Sequence, residues 1–168
     1  MEAAEILISA RTDPVWRPSD TEFVADPTAA GPSRGALSGL AAALARIRTK
    51  YLLALAIDMP FMTEKYLHFL CDEIAPGRGV LAVIAGRAEP LAAIYPAEAH
   101  RDVIAALSGS GADFSLQSLT SHLVKAGKLQ VIPVAEGKKA FFGTSMNQLI
   151  WSDCNRRLTW TAADRRPR

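Results

Sequence analysis

The sequence predicts an α/β domain: three layers, with a mostly parallel sheet between helices. Short apolar runs alternate along the chain with longer stretches of helical periodicity, the pattern of strand–helix units. The run Tyr51-Leu52-Leu53-Ala54-Leu55-Ala56-Ile57 is apolar without a break, as in a strand buried on both faces. That run ends in Asp58, and Pro60 stops the strand. A carboxylate is thereby expected at the carboxyl end of the sheet, where open α/β sheets bind ligands.

The elements follow in order. Residues 5–9 read as a buried strand, and a polar loop with Pro14 and Pro18 follows. A short strand at 23–25 ends at Asp26. The segment Gly31-Pro32-Ser33-Arg34-Gly35 is a turn-rich loop. Residues 37–47 form a helix, rich in Ala, with an apolar stripe at Leu37, Leu40, Leu44 and Ile47. After the Asp58 strand, Thr63 caps a helix running to about residue 74. Strands at 79–84 and 89–95 are joined by a turn through Gly86. Helices follow at 97–108 and 115–126 with a Gly/Ser linker between them. Short strands are expected at 129–133 and 140–142.

Composition narrows the function classes. The 168 residues suffice for one domain with a core. Net charge is +2, with arginines concentrated in the last dozen residues, so charge gives no case for nucleic-acid binding. No apolar stretch is long enough to span a bilayer, and the N-terminus lacks the basic flank of a signal peptide. Cys71 and Cys154 lie far apart and form no metal-ligand spacing. A reducing cytoplasm is the expected setting.

Three features carry candidate chemistry. Asp58 could hold a hard divalent cation that bridges phosphate oxygens; a turn or helix-cap aspartate would give the same pattern. The stretch Gly35-Ala36-Leu37-Ser38-Gly39 opens a helix, where glycines allow close backbone approach and the helix N-terminus favours anions or a base edge. A plain loop-to-helix junction would also look like this. Asp26 could accept hydrogen bonds from a nucleotide, or simply form a turn beside Pro27. Glu89, ahead of Pro90, could face the crevice or end a solvated strand. His68, His100 and His122 stand at no ligand spacing.

With these pieces in order, the chain resembles the molybdenum cofactor guanylyltransferase family, the MobA-like nucleotidyltransferases. Ile8-Ser9-Ala10-Arg11, Val24-Ala25-Asp26, Gly35-Ala36-Leu37-Ser38-Gly39-Leu40, Ile57-Asp58-Met59-Pro60-Phe61 and Glu89-Pro90-Leu91-Ala92-Ala93-Ile94-Tyr95 carry the likeness, over roughly residues 5–134. The resemblance implies a Rossmann-like nucleotidyltransferase sheet and transfer of GMP from MgGTP to molybdopterin, with release of pyrophosphate. By it, Asp58 is the catalytic carboxylate and holds Mg²⁺. Asp26 contacts the nucleotide, and Gly35, Leu37 and Gly39 approach the guanine. It further implies small-molecule substrates, molybdoenzyme or cofactor-delivery partners, and a cytoplasmic location. CTP with molybdopterin, a sugar or polyol phosphate, or a non-catalytic pterin- or partner-binding role are the alternatives.

The chain departs from the family in three places. The family's opening strand and its Leu-Ala-Gly-Gly-x-Ser-x-Arg-Met-Gly loop have no counterpart here, so the first, central strand of the sheet is expected to be missing. A gap, a non-native pairing or an exposed apolar edge should result, and the grip on triphosphate should weaken severely. Ala36 stands where the family has proline, and Ala10 where some members have asparagine. Finally, the family's Asn-x-Asn after a C-terminal Phe is absent after Phe142. Codons for residues 143–151, read one nucleotide earlier, permit Trp-Asn-Val-Asn-Glu-Pro-Ala-Asp-Leu, which restores it. Residues 1–142 are thus expected to form an incomplete nucleotidyltransferase domain. Residues 143–168 would be an irregular tail, out of frame or truly divergent.

Overall fold

The computed structural model describes residues 5–25, 35–57, 59, 63–84, 86–108 and 115–134. Asp26, Asp58, the predicted strand at 140–142 and the 143–168 segment lie outside these residues.

Two strands open the fold. β1 (Leu7–Ala10) and β2 (Glu22–Ala25) pair in parallel. Helix α1 (Ala36–Arg46) follows, close to its predicted span. Then come β3 (Tyr51–Leu55), α2 (Glu64–Asp72), β4 (Gly79–Ile84) and β5 (Arg87–Pro96). A 3₁₀ turn (Ala97–Ala99) leads into α3 (His100–Ser108), and α4 (Leu116–Lys125) and β6 (Leu129–Val134) complete the described chain. Thr63 caps α2 as its sequence predicts, its hydroxyl accepting from Tyr66 N at 3.3 Å. Ser115 does the same for α4, accepting from Ser118 N at 3.1 Å.

The second sheet has the order β3-β5-β4-β6. β4 and β6 are parallel, and β5 runs antiparallel to both β3 and β4, so three of the four strands point the same way. Side-chain alternation along the strands divides the interior into two cores and makes the three layers. On one face Leu81, Ala93, Tyr95 and Leu129 meet α1, α3 and α4 through Leu37, Leu40, Leu44, Val103, Leu119 and Leu123. On the other, Val80, Ala82, Ala92, Ile94 and Val134 meet Tyr66 and Leu70 of α2. Gly79 is obligatory at the start of β4, because a Cβ there would lie 2.0 Å from Ile94 O and 2.8 Å from Leu129 Cδ2.

Three expectations change on seeing the structure. β3 is not buried on both faces: Leu53 and Leu55 are each 37% exposed and Ile57 is 66% exposed. Among the described residues β3 pairs only with β5, and β1 only with β2. Among the described residues each therefore has a partner on one side only, and the strands fall into two sheets. Pro90, near the start of the strand predicted at 89–95, sits inside β5, a central strand that begins earlier, at Arg87. The β4–β5 register shifts between Leu81 and Val83, across the span of β5 that contains Pro90, so a bulge accommodates the missing N–H. Lastly, His122 does have an acidic neighbour: its Nε2 lies 3.3 Å from Asp102 Oδ1, and Lys128 Nζ lies 2.5 Å from Asp102 Oδ2. These three side chains tie α3, α4 and the start of β6 together.

Candidate functional site

The site is set by the way α1 returns across β1 and β2. Glu22, the first residue of β2, pairs with Arg46, the last of α1. Glu5 Oε1 accepts a hydrogen bond from Arg48 N at 3.1 Å. These contacts fix the end of α1 at the base of the strands, so its beginning lies at their carboxyl ends. Ser9, near the end of β1, confirms the placement: its Oγ is 3.0 Å from where a Cβ on Gly39 would sit. The glycine motif therefore occupies the rim at which open α/β sheets bind ligands.

Gly35 caps α1 with φ +59° and ψ −140°, a conformation that belongs essentially to glycine. Among the described residues, a Cβ added there would meet nothing within 4 Å. The first turn of α1 contains no acidic residue, and the partial positive charge of the helix start is left without a carboxylate of its own. The predicted contact residues divide by role. Gly35 supplies the positive-φ turn at the start of α1. Gly39 permits the close packing of β1. Leu37 is buried in the core and anchors the turn. Burial of a leucine of this kind contributes roughly 2 kcal/mol.

One group that the sequence reading passed over is Ser38, the third helical residue. It is fully buried, and its Oγ has no hydrogen-bond partner among the described residues. Its type and position were visible in the motif; its isolation was not. Ser9 is likewise a rim hydroxyl, here an exposed one.

In the four-stranded sheet, β3 is continued against β5. Ala56 N donates to Leu91 O at 2.9 Å, extending the ladder past Leu55. Glu89, two residues further along β5, is half-buried, neither fully solvated nor sealed. Burial pushes the Tyr66 phenol well above its usual range, and the Glu89 charge adds to the effect, so Glu89 lies on the α2 side. Tyr66 donates its hydroxyl to Ala92 O at 3.2 Å and Tyr95 donates to Pro90 O at 2.8 Å, holding this part of β5 from both faces. Burial also raises the Cys71 thiol, which makes it a poor nucleophile. Asp26 follows β2 and Asp58 follows β3 in sequence; both lie outside the described residues. Among the described residues no group of three or more His, Cys, Asp or Glu side chains could hold a metal ion. No described helix is long and apolar enough to cross a membrane.

Comparison with known proteins gives the lineage. The sequence model of the MobA-like NTP transferase domain matches residues 1–127. Curated protein sequences return no match. Among solved structures, a protein from Aquifex aeolicus VF5 is similar with a TM-score of 0.66 at 16% identity, covering 87% of this chain and 72% of that one. Molybdopterin-guanine dinucleotide biosynthesis protein A from Archaeoglobus fulgidus is similar with a TM-score of 0.50 at 23% identity, covering 82% of this chain and 66% of that one. At these identities the two structures speak for the fold, and the sequence match over most of the chain speaks for descent: the chain belongs to the family of MobA-like NTP transferase domains.

Proposed function

We propose that the rim site binds MgGTP and transfers its GMP unit to the terminal phosphate of molybdopterin. The observation that carries this reading is the opening of α1 at the carboxyl ends of β1 and β2, with Gly35 in a glycine-only conformation at its start. Family membership supports nucleotidyl transfer as the chemistry. The Archaeoglobus protein's name, molybdopterin-guanine dinucleotide biosynthesis protein A, supports these substrates.

In this reading the Gly35–Gly39 turn receives the base, with Leu37 holding it in place from the core. Asp26 accepts hydrogen bonds from the nucleotide. Asp58, a lone carboxylate joined by phosphate oxygens, is the donor set that Mg²⁺ takes in nucleotide sites. When bound, the ion neutralises charge that builds on the triphosphate. An oxygen of the acceptor phosphate forms a bond to the α-phosphorus, and the α–β anhydride bond breaks to release pyrophosphate. Transfer of this kind depends on positioning and charge stabilisation. The domain would comprise residues 1–142 with 143–168 as a tail, and the product would pass to molybdoenzymes or delivery proteins in the cytoplasm.

The test is product formation from molybdopterin with MgGTP or MgCTP, followed by chromatography. It is run on this chain and on one extended at its N-terminus by a Gly-Gly-x-Ser-x-Arg-Met-Gly loop. The expected product is the guanine dinucleotide, with strong gain in the extended chain and loss in Asp58→Ala. Selective use of CTP would reassign the base. Binding of a pterin without any nucleotide would replace transfer with a binding role.

A further inference from the structure

We propose that Glu89 is a binding residue for the acceptor, its carboxylate receiving the paired N–H donors of a pterin's 2-amino-4-oxopyrimidine edge; this rests on the transfer reaction proposed above. β3, β4 and β6 run the same way and end at Leu55, Ile84 and Val134. β5 runs against them and begins at that end, with Arg87 opposite Ile84. Glu89 therefore stands at the carboxyl end of the three strands, where open α/β sheets bind ligands. The irregularity in β5 decides which face it takes. Leu81 pairs with Ala93 and Val83 with Ala88, so Ala82 alone spans residues 89–92 of β5. An odd offset of this kind turns the alternation of side chains over. Ala88 packs against the core that α1, α3 and α4 cover, and Glu89 beside it falls on the α2 face, near Tyr66.

The backbone around this carboxylate is fixed. Ala88 O accepts from Gln117 Nε2 at 2.9 Å, and Pro90 O accepts from the Tyr95 hydroxyl at 2.8 Å. Glu89 itself is half-buried, and among the described residues nothing donates a hydrogen bond to its side chain or forms an ion pair with it. Water is partly withdrawn from the charge with no replacement partner. A carboxylate only accepts, and two N–H donors side by side in one plane match both of its oxygens. A phosphate would be repelled. In the proposed reaction two rings offer such a pair, the guanine of the donor and the pterin of the acceptor. The guanine is assigned to the glycine turn beside β1 and β2, which leaves the pterin for Glu89. The same end of the sheet has apolar surface for a flat ring: Ile57, just past β3, is 66% exposed, and Met59 packs against the α2-side core.

The experiment compares the full chain with Glu89→Gln, which keeps the side-chain size and removes no described contact. The probes are 6-hydroxymethylpterin and 6-hydroxymethyllumazine, followed by their fluorescence, and MgGTP, followed by calorimetry. The lumazine carries an oxygen in place of the 2-amino group and so turns an acceptor towards the carboxylate. Wild type is expected to prefer the pterin. Glu89→Gln should bind the pterin roughly 10- to 100-fold more weakly and lose the discrimination against lumazine, with MgGTP affinity and melting temperature unchanged. Three results overturn the proposal: equal pterin affinity in both proteins, an equal loss for both rings with a lowered melting temperature, or a loss confined to MgGTP. The last would give the carboxylate to the guanine or the metal. If wild type binds neither ring, the molybdopterin reading fails and takes this assignment with it. If both proteins make the guanine dinucleotide with the same KM for molybdopterin, only the role of Glu89 falls.

Discussion

The two glycines of the rim motif should respond to the same substitution with opposite signs. Gly35 has φ +59° and ψ −140°, and nothing lies within 4 Å of an added Cβ. The cost of Gly35→Ala is therefore backbone conformation alone, about 1–3 kcal/mol. It is offset by about 0.4–1 kcal/mol from the stiffer unfolded chain. The net loss of about 1–2 kcal/mol corresponds to a fall in Tm of about 3–6 °C for a chain of this size. Gly39 lies inside α1, where alanine is favoured by about 1 kcal/mol. Its added Cβ would meet Ser9 Oγ at 3.0 Å, a tight contact that the exposed serine relieves by turning about its own χ1. Gly39→Ala is therefore expected to melt between the wild-type temperature and about 3 °C above it. Differential scanning calorimetry of both variants checks the pair. A Gly35→Ala protein that melts at or above wild type, or a Gly39→Ala protein that falls as far as Gly35→Ala, would refute the reasoning.

Three further outcomes follow from the packing and the charges. Gly79→Ala drives its Cβ to 2.0 Å from Ile94 O, and backbone must move. A loss of about 3 kcal/mol or more is expected in urea unfolding. Tyr66→Phe removes the hydroxyl that donates to Ala92 O and should cost about 1 kcal/mol at neutral pH. Burial, then the Glu89 charge, raise the wild-type phenol well above the ordinary tyrosine value. Wild type therefore loses stability as pH rises above about 10, where the unfolded tyrosine ionises, and the deficit of the variant should shrink there. For Asp102, burial works to raise the carboxyl, but the Lys128 bond and charge and the His122 contact outweigh it and hold the value below 3.8. Its stabilisation is present above that value and is lost as pH falls through the lower folded value. Asp102→Asn should accordingly cost about 1 kcal/mol at pH 7, with the difference disappearing in acid-unfolding curves at low pH.

Local chemistry made much of the fold readable. Thr63 announced α2, and the stripe of Leu37, Leu40 and Leu44 announced α1, because caps and periodicity depend only on neighbours along the chain. Apolarity misled at β3: Leu53, Leu55 and Ile57 have the composition of an interior strand, but burial needs a neighbour on the other edge. Pro90 stood in a central strand because the β4–β5 bulge could absorb it, and a bulge is a property of two strands. The Asp102–His122–Lys128 cluster joins elements remote in sequence and leaves no local spacing to find. At the candidate site, Gly35 and Gly39 were legible as a motif, while their separate functions required φ and a distance. Leu37 was legible as a core residue from its place in the apolar stripe, and it is buried there. The solitude of Ser38 is a fact about everything around it, and no string of residue types contains it.

The divided sheet has a mechanical consequence. Among the described residues, β1 and β2 contribute no side chain to either buried core, and they lean most heavily on α1. They form a flap riveted to one helix, whereas the four-stranded slab is clamped on both sides. Amide protons of β1 and β2 should trade with deuterated solvent through openings that leave the β4–β5 hairpin shut. Since the glycine turn rides on that same helix, its ligand would act as the latch.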